Sequence, residues 1–326
     1  MSTPLLDVRD LRVTLQTARG PAQALRGLDF SMQPGETLGL IGESGSGKSL
    51  TALALLGLLP ASAQVSGSIR LAGQELIGLD EDRLCQLRGD RIAMIFQEPM
   101  TALNPLHRIG HQVAEPLRLH RGLGRHAARA EALRLLERVH LSDAARRLDA
   151  YPHELSGGQR QRVMIAMALA CGPALLIADE PTTALDVRLQ RDILALIAEI
   201  VAERRMALLL VSHDLGVIAE NVERMLVLYG GHIVESGPTE AVFDRLAHPY
   251  TRGLFAARPR LGAARGAPLD AIPGRVPELL DLPPGCPFSD RCAFAVEACR
   301  AGLPEAFEVG PGHRARCIRL PEGVQR

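Results

Sequence analysis

Residues 37–51, TLGLIGESGSGKSLT, contain the pattern G-x-x-x-x-G-K-S from Gly42 to Ser49, and the reading of the whole chain turns on them. The apolar run 38–41 predicts a buried strand. The sequence from Ser49 onward, SLTALALLGLL, predicts an apolar helix, so the glycine-rich turn falls at a strand-to-helix junction. In that context the pattern reads as a phosphate-binding loop. Glycines at 42, 45 and 47 remove the Cβ atoms that would stop the backbone from curling around an anion. Successive N–H groups and the positive end of the helix then face inward. Lys48 adds a compact charge for the β- and γ-phosphates, and Ser49 offers a hydroxyl to Mg²⁺.

The use of lysine sharpens this reading. The chain has 37 Lys plus Arg residues, and Lys48 is the single lysine among them. A guanidinium is a broad planar fork, whereas an ammonium is a point charge that fits a tight nest of amides. Arginine serves everywhere except inside the loop.

At 326 residues the chain can bury a large core and carry an appendage. Basic and acidic residues number 37 each, which gives no electrostatic case for nucleic acid or an anionic membrane surface. The N-terminus lacks the apolar core of a signal peptide, and no run approaches the roughly 18–20 apolar residues that span a bilayer. A cytosolic chain is expected. Its six cysteines are then not a disulfide framework, and the concentration of Cys286, Cys292, Cys299 and Cys317 in the tail raises metal ligation.

Residues 5–40 alternate in a β-like way, with turn signals at 19–21 and 33–35, and predict a small antiparallel sheet. Further strands are expected at 65–71 and 91–96, with Gln97 closing the second. From 98 to 150 the sequence becomes proline-interrupted and then Arg/Ala/Leu-rich, as in AARAEALRLLERV, and predicts an inserted helical subdomain spanning about 98–165. Ser156, Gly157, Gly158 and Gln159 open another helix, making a second anion-binding end with Ser156 as cap. The apolar run 174–178 delivers Asp179 and Glu180 to the C-terminal edge of a buried strand, where α/β sheets place ligands. Adjacent strand residues face opposite sides, so the two carboxylates take different tasks. Asp179 suits the magnesium shell beside Ser49, and Glu180 suits the polarisation of an attacking water. A helix and a further strand, 207–211, lead to His213 at the same kind of strand end.

These features in this order, GESGSGKS, Gln97, LSGGQ, LLIADE and His213, resemble the ATP-binding subunits of ABC transporters over roughly residues 5–255. The segments FQEPMTALNPLHRIGHQVAEPL (96–117), HPYTRGL (248–254) and the cysteine tail opened by IPGRVPELLDLPPGC look like the oligopeptide, dipeptide and nickel branch of bacterial importers. The resemblance implies an α/β, ABC-type P-loop ATPase core: a mixed sheet with flanking helices, a small antiparallel β subdomain and an inserted helical subdomain, with a short Cys-rich C-terminal appendage. It divides the chain into an ATP-binding domain, 1–255, and a C-terminal importer-type domain, 256–326. It further implies ATP and Mg²⁺ bound by Gly42, Glu43, Ser44, Gly45, Ser46, Gly47, Lys48, Ser49 and Leu50. Ser156, Gly157, Gly158 and Gln159 would complete the site of a second ATP-binding subunit packed head to tail, either a related but different chain or a second copy. Gln97 would sense the γ-phosphate and Mg²⁺, Asp186 would shape the dimer contact, His213 would hold the γ-phosphate, and Glu180 would carry hydrolysis.

The partners implied are two transmembrane permease subunits and, indirectly, an extracytoplasmic substrate-binding protein, with this chain peripheral on the cytoplasmic face of the inner (plasma) membrane and no nucleic acid bound. The resemblance implies ATP-driven import of peptides or related small solutes. The alternatives are a soluble ABC ATPase of DNA repair or chromosome maintenance and an exporter ATPase. The first resembles chains with coiled-coil insertions much longer than the gap between Ser49 and Leu155, and the second has no use for HPYTRGL or the tail.

One position departs from the pattern. The family usually stacks adenine on an aromatic near the start of the chain, and the aligned residue is Leu15. Weaker or less base-selective nucleotide binding follows unless another side chain covers the ring. In the tail, the spacing C-x5-C-x6-C-x17-C is wider than the C-x2-4-C pairs of structural zinc sites. Four thiolates can hold an iron–sulfur cube, and the resemblance implies a [4Fe–4S] cluster on Cys286, Cys292, Cys299 and Cys317. Free buried thiols are the alternative. Cys85 and Cys171 are expected to be plain core residues.

Overall fold

The computed structural model describes residues 3–183, 185–257 and 271–320. Ala184, and residues 258–270 and 321–326 of the expected C-terminal domain, lie outside the described residues. The fold is mixed α/β, as expected, and the chain divides into two compact units.

One unit takes the described residues of 1–6, 32–37 and 70–211. Its centre is the strand Leu175–Asp179, flanked by Ile92–Ile95 and Ala207–Ser212, all parallel. Every residue of these strands is buried, so they read as unbroken apolar runs (IAMI, LLIAD, ALLLVS), the pattern of a parallel sheet covered on both faces. Between the first two strands the chain is helical: Pro99–Ala102, Ile109–Arg121, Arg125–Arg138, Ala144–Arg147 and Gly157–Leu169. Ile109–Arg121 buries Ile109, Val113 and Leu117, one stripe at helical spacing, and Arg125–Arg138 buries Ala128, Ala132, Leu135 and Leu136. The arginines lie on the wet faces in pairs such as Arg138 with Glu199 and Glu203, and Arg129 with Asp149. Such exposed pairs add little stability.

The other unit takes 7–31, 38–69 and the described residues from 212 onward. Leu6–Thr17 lies between Gly20–Met32 and Gln64–Leu71 in one sheet. In a second sheet Thr37–Ile41 runs parallel to Arg224–Tyr229, which pairs antiparallel with His232–Pro238. Gly39 is required here: a Cβ on it would come within 2.9 Å of Ile218 and Val222, from the helix Leu215–Asn221 and its cap. The tail extends this sheet. The hairpin Phe307–Gly310 and His313–Ala315 adds to the edge of His232–Pro238, with Glu235 opposite Ala315. The buried Glu235 carboxylate fixes that junction, accepting from the N–H groups of Ala247 (2.8 Å) and His248 (2.9 Å) and pairing with His313 Nε2 at 2.7 Å. Three partners satisfy a carboxylate that burial would otherwise penalise heavily.

The cysteines expected in the core divide. Cys171 is buried, but Cys85 is exposed. The helix Glu81–Leu87 has no buried residue, and the Cys85 sulfur lies 3.5 Å from Glu81 Oε1, so its apolar sequence neighbours misled.

Candidate functional site

The phosphate loop follows Thr37–Ile41 and leads into the helix Lys48–Leu55. Each glycine is needed for a different reason. A Cβ on Gly42 would fall 2.3 Å from the Leu228 carbonyl oxygen, and one on Gly47, with φ +108°, would fall 2.7 Å from Leu25. Gly45 has open space around it, but its φ of +80° is one that side chains rarely adopt. Lys48, 6% exposed, folds back along the loop and donates from Nζ to the carbonyls of Gly42 (2.8 Å) and Glu43 (3.1 Å). Its single charge is thus held within the turn. Ser44 and Gly45 are exposed, and Ser49 is half-buried.

Glu43 behaves differently from its neighbours. Its N–H donates to Tyr250 Oη at 2.7 Å, and its carboxylate takes a bidentate pair from Arg291, at 2.7 and 3.0 Å. The Arg291 side chain is 5% exposed; it also donates to the Pro273 carbonyl and lies 3.3 Å from Tyr229 Oη. Burial opposes the Arg291 charge, but the hydrogen bonds it donates to Glu43 and Tyr229 outweigh that and hold the guanidinium firmly protonated. Around this link Tyr229 packs edge to face on Tyr250 and Phe288, which are tilted against each other. Sequence reasoning missed this clamp. Tyr250 was visible only as part of HPYTRGL, and nothing local marks Arg291 as the partner of a residue 248 positions earlier.

In the other unit, Asp179 ends its strand at 4% exposure, opposite Val211. Glu180 then turns into the left-handed region, at φ +45°, with its N–H on the Val211 carbonyl. A non-glycine residue in that region is strained, and such strain collects at functional positions. The Glu180 Oε2 accepts from Gln97 Nε2 and from Thr183 Oγ1, both at 3.0 Å. Two residues singled out separately in the sequence, Gln97 and Glu180, therefore meet. The oxygens of Asp179 and Gln97 are hard donors of the kind that suit Mg²⁺.

Ser156 and Gln159 form a reciprocal cap. Ser156 Oγ accepts from the Gln159 N–H and Gln159 Oε1 accepts from the Ser156 N–H, so the helix Gly157–Leu169 opens in a fixed, exposed start. Gly157 is open, whereas a Cβ on Gly158 would collide with Leu189 at 2.4 Å. Asp186 caps the helix Val187–Arg204 by accepting from the Leu189 N–H. His213 is exposed at the end of Ala207–Ser212.

The four tail cysteines line one small cavity with His248, Phe288 and Phe294. Burial raises the thiols of Cys286, Cys292 and Cys317, Cys286 to about 11, and their mutual proximity pushes the same way. The backbone N–H groups of Phe288, Phe294 and Arg319 each offset part of this at the sulfur two residues earlier. Among the described residues no three His, Cys, Asp or Glu side chains are arranged around a single metal ion. Nor, among the described residues, is any helix long and apolar enough to cross a membrane.

Residues 25–183 match the family model described as ABC transporter, and residues 234–299 match the oligopeptide/dipeptide transporter C-terminal region. A Brucella melitensis protein named for peptide import ATP binding is 50% identical over 331 residues, covering 98% of each chain. The oligopeptide transport ATP-binding protein OppD of Salmonella typhimurium is 49% identical, covering 98% of this chain and 94% of its own. Among solved structures, a dimeric ATP-binding cassette in a post-hydrolysis state bound to ADP and Pi superposes with a TM-score of 0.65 at 30% identity, covering 72% of this chain and 98% of that one. With its phosphate loop, its LSGGQ helix start and its strand-end carboxylates in place, the chain belongs to the ABC transporter family, in the branch that carries the oligopeptide/dipeptide transporter C-terminal region.

Proposed function

We propose that this chain is the ATP-hydrolysing subunit that powers import of peptides through a membrane permease. The observation that carries the reading is the succession of the two family matches along one chain, the second being specific to oligopeptide and dipeptide transporters. The repair and exporter alternatives have no comparable support, because the relatives named above for peptide import or oligopeptide transport align over almost the whole chain.

In the reaction, Lys48 and the loop amides neutralise the β- and γ-phosphates. Ser49, Asp179 and Gln97 supply oxygen donors for Mg²⁺, which screens phosphate charge when bound. Glu180 takes a proton from water as the water oxygen bonds to the γ-phosphorus and the bond to the β,γ-bridging oxygen breaks, giving ADP and phosphate. Gln97 and Thr183 orient the Glu180 carboxylate, and His213 steadies the γ-phosphate. Two such subunits pack head to tail, the exposed start at Ser156 and Gly157 serving the partner's nucleotide, with Asp186 shaping the dimer contact. Closure on ATP and opening after hydrolysis drive two permease subunits fed by an extracytoplasmic binding protein. In this arrangement residues 1–255 form the ATPase domain and 256–326 the importer-type domain, peripheral on the cytoplasmic face.

The tail cysteines fit a [4Fe–4S] cluster better than a single ion. Their spacing is wider than that of the cysteine pairs in structural zinc sites, and all four side chains line one small cavity. Cys286, Cys292, Cys299 and Cys317 would hold the cluster. Anaerobically purified protein should contain iron and absorb broadly in the visible; iron-free, colourless protein would refute the cluster without touching the ATPase reading. For that reading, proteoliposomes holding the co-purified permease should take up peptide in an ATP-dependent way, and failure of the chain to associate with any permease would overturn it.

A further inference from the structure

Position 15 is Leu rather than an aromatic, and the structure contains a second surface beside the phosphate loop. A cavity of about 460 Å³ opens beside Ser44 and Gly45, the exposed residues of the phosphate loop. That size is ordinary for a small-ligand pocket. Its other walls are the hairpin turn at Thr17, Ala18 and Arg19, then Ala22, and a segment of the tail, residues 276–280. Val276, Pro277, Leu279 and Leu280 make the tail wall apolar, and Leu280 stands 40% exposed. Leu15 itself does not line this cavity.

The tail wall is held in place. Arg19 donates from Nη1 to Glu278 at 3.0 Å and forks both Nη atoms onto the Asp281 carboxylate at 2.6 Å. Arg26 donates to the Leu279 carbonyl at 2.9 Å, and the Asp281 N–H closes a turn on Glu278. Arg19 belongs to the hairpin turn that lines the opposite side of the cavity, so the same residue positions both walls. A triphosphate held by the loop must project its base along one side of it, and an apolar slot contiguous with Ser44 and Gly45 suits the face of a purine.

We propose that the adenine of ATP is received by this cavity and covered by residues 276–280, so that the tail supplies the base platform that position 15 lacks. The proposal rests on the nucleotide-binding reading above and assigns its base subsite to the C-terminal region. The test uses the full chain with a non-hydrolysable ATP analogue and, separately, inorganic triphosphate, both with Mg²⁺, followed by calorimetry. Val276→Ser and Leu280→Ser together should weaken the ATP analogue about tenfold and leave triphosphate affinity unchanged. Equal affinity for the analogue in parent and variant would overturn the base subsite. Failure of the parent to bind either ligand would instead overturn the nucleotide reading itself. A variant that loses triphosphate as well has lost its fold, and the unaltered chain then decides. Photolabelling with 8-azido-ATP should mark the peptide containing residues 276–281, and labelling confined to other peptides would refute the proposal.

Discussion

Breaking the ion pair between Glu43 and Arg291 should cost more from one side than from the other. The Arg291 side chain is 5% exposed and that of Glu43 is 30% exposed. Glu43→Ala leaves a buried guanidinium whose remaining hydrogen-bond partners among the described residues are the Pro273 carbonyl and the Tyr229 hydroxyl. Removal of one partner from a buried pair costs about 3–5 kcal/mol. Arg291→Met leaves a carboxylate that can recover water over its exposed third, and a long apolar side chain that keeps contact with Tyr229 and Phe288, which places its cost nearer 2 kcal/mol. The double variant removes both charges and should be less destabilised than Glu43→Ala alone, a coupling that only contacting residues show. Urea unfolding of the four proteins reads these differences directly, and thermal melting should follow at about 2–4 °C per kcal/mol. Additive costs in the double variant, or Arg291→Met proving the more damaging single change, would refute the asymmetry.

Two further outcomes follow from the geometry. Glu180→Gln keeps a group able to meet Gln97 and Thr183 but cannot accept the proton, so MgATP binding should persist while hydrolysis falls by roughly 10²–10⁴-fold; near-normal turnover would remove Glu180 from the base role. Burial depresses His248 to about 4, only partly opposed by the neighbouring Glu235 charge, so the folded protein refuses a proton that the unfolded chain takes up below about 6.5. Stability from this residue is therefore complete above 6.5 and is lost as pH falls from there toward 4, by about 3 kcal/mol in all. His232, lowered to about 4 first by burial and then by nearby arginines, works in the same direction. A urea midpoint that does not move between pH 7.5 and pH 5 would contradict both.

The sequence carried the elements whose physics is local. The loop strand, the capped start at Ser156 and the buried strand ending in Asp179 were legible because each is announced by a contiguous pattern: an apolar run, a glycine turn, a cap three residues before its partner. The meeting of Gln97 with Glu180 was not, because it depends on the parallel register that sets Ile95 beside Ala178. Cys85 was misread for a related reason. An apolar neighbourhood in sequence does not show which side of a short helix faces water, and none of Glu81–Leu87 is buried.

The same distinction explains why the branch-specific tail could be recognised in the sequence without its task being visible. HPYTRGL and the cysteines identify the branch by pattern, yet their contacts with the nucleotide-binding loop arise only in three dimensions, through Tyr250 on the Glu43 N–H and Arg291 on the Glu43 carboxylate. Arg291 lies between Cys286 and Cys292 in the chain, and Phe288, which packs on Tyr250 and Tyr229, also lines the cysteine cavity. A change at the four sulfurs would therefore be felt first by the aromatic cluster, and next by the carboxylate that anchors the phosphate loop, because close-packed side chains transmit a displacement rather than absorb it. The tail thus contacts the loop at its anchor, and residues 276–280 wall the cavity beside Ser44 and Gly45. Its constraint is then on the nucleotide site, a role that needs no contact with the transported solute.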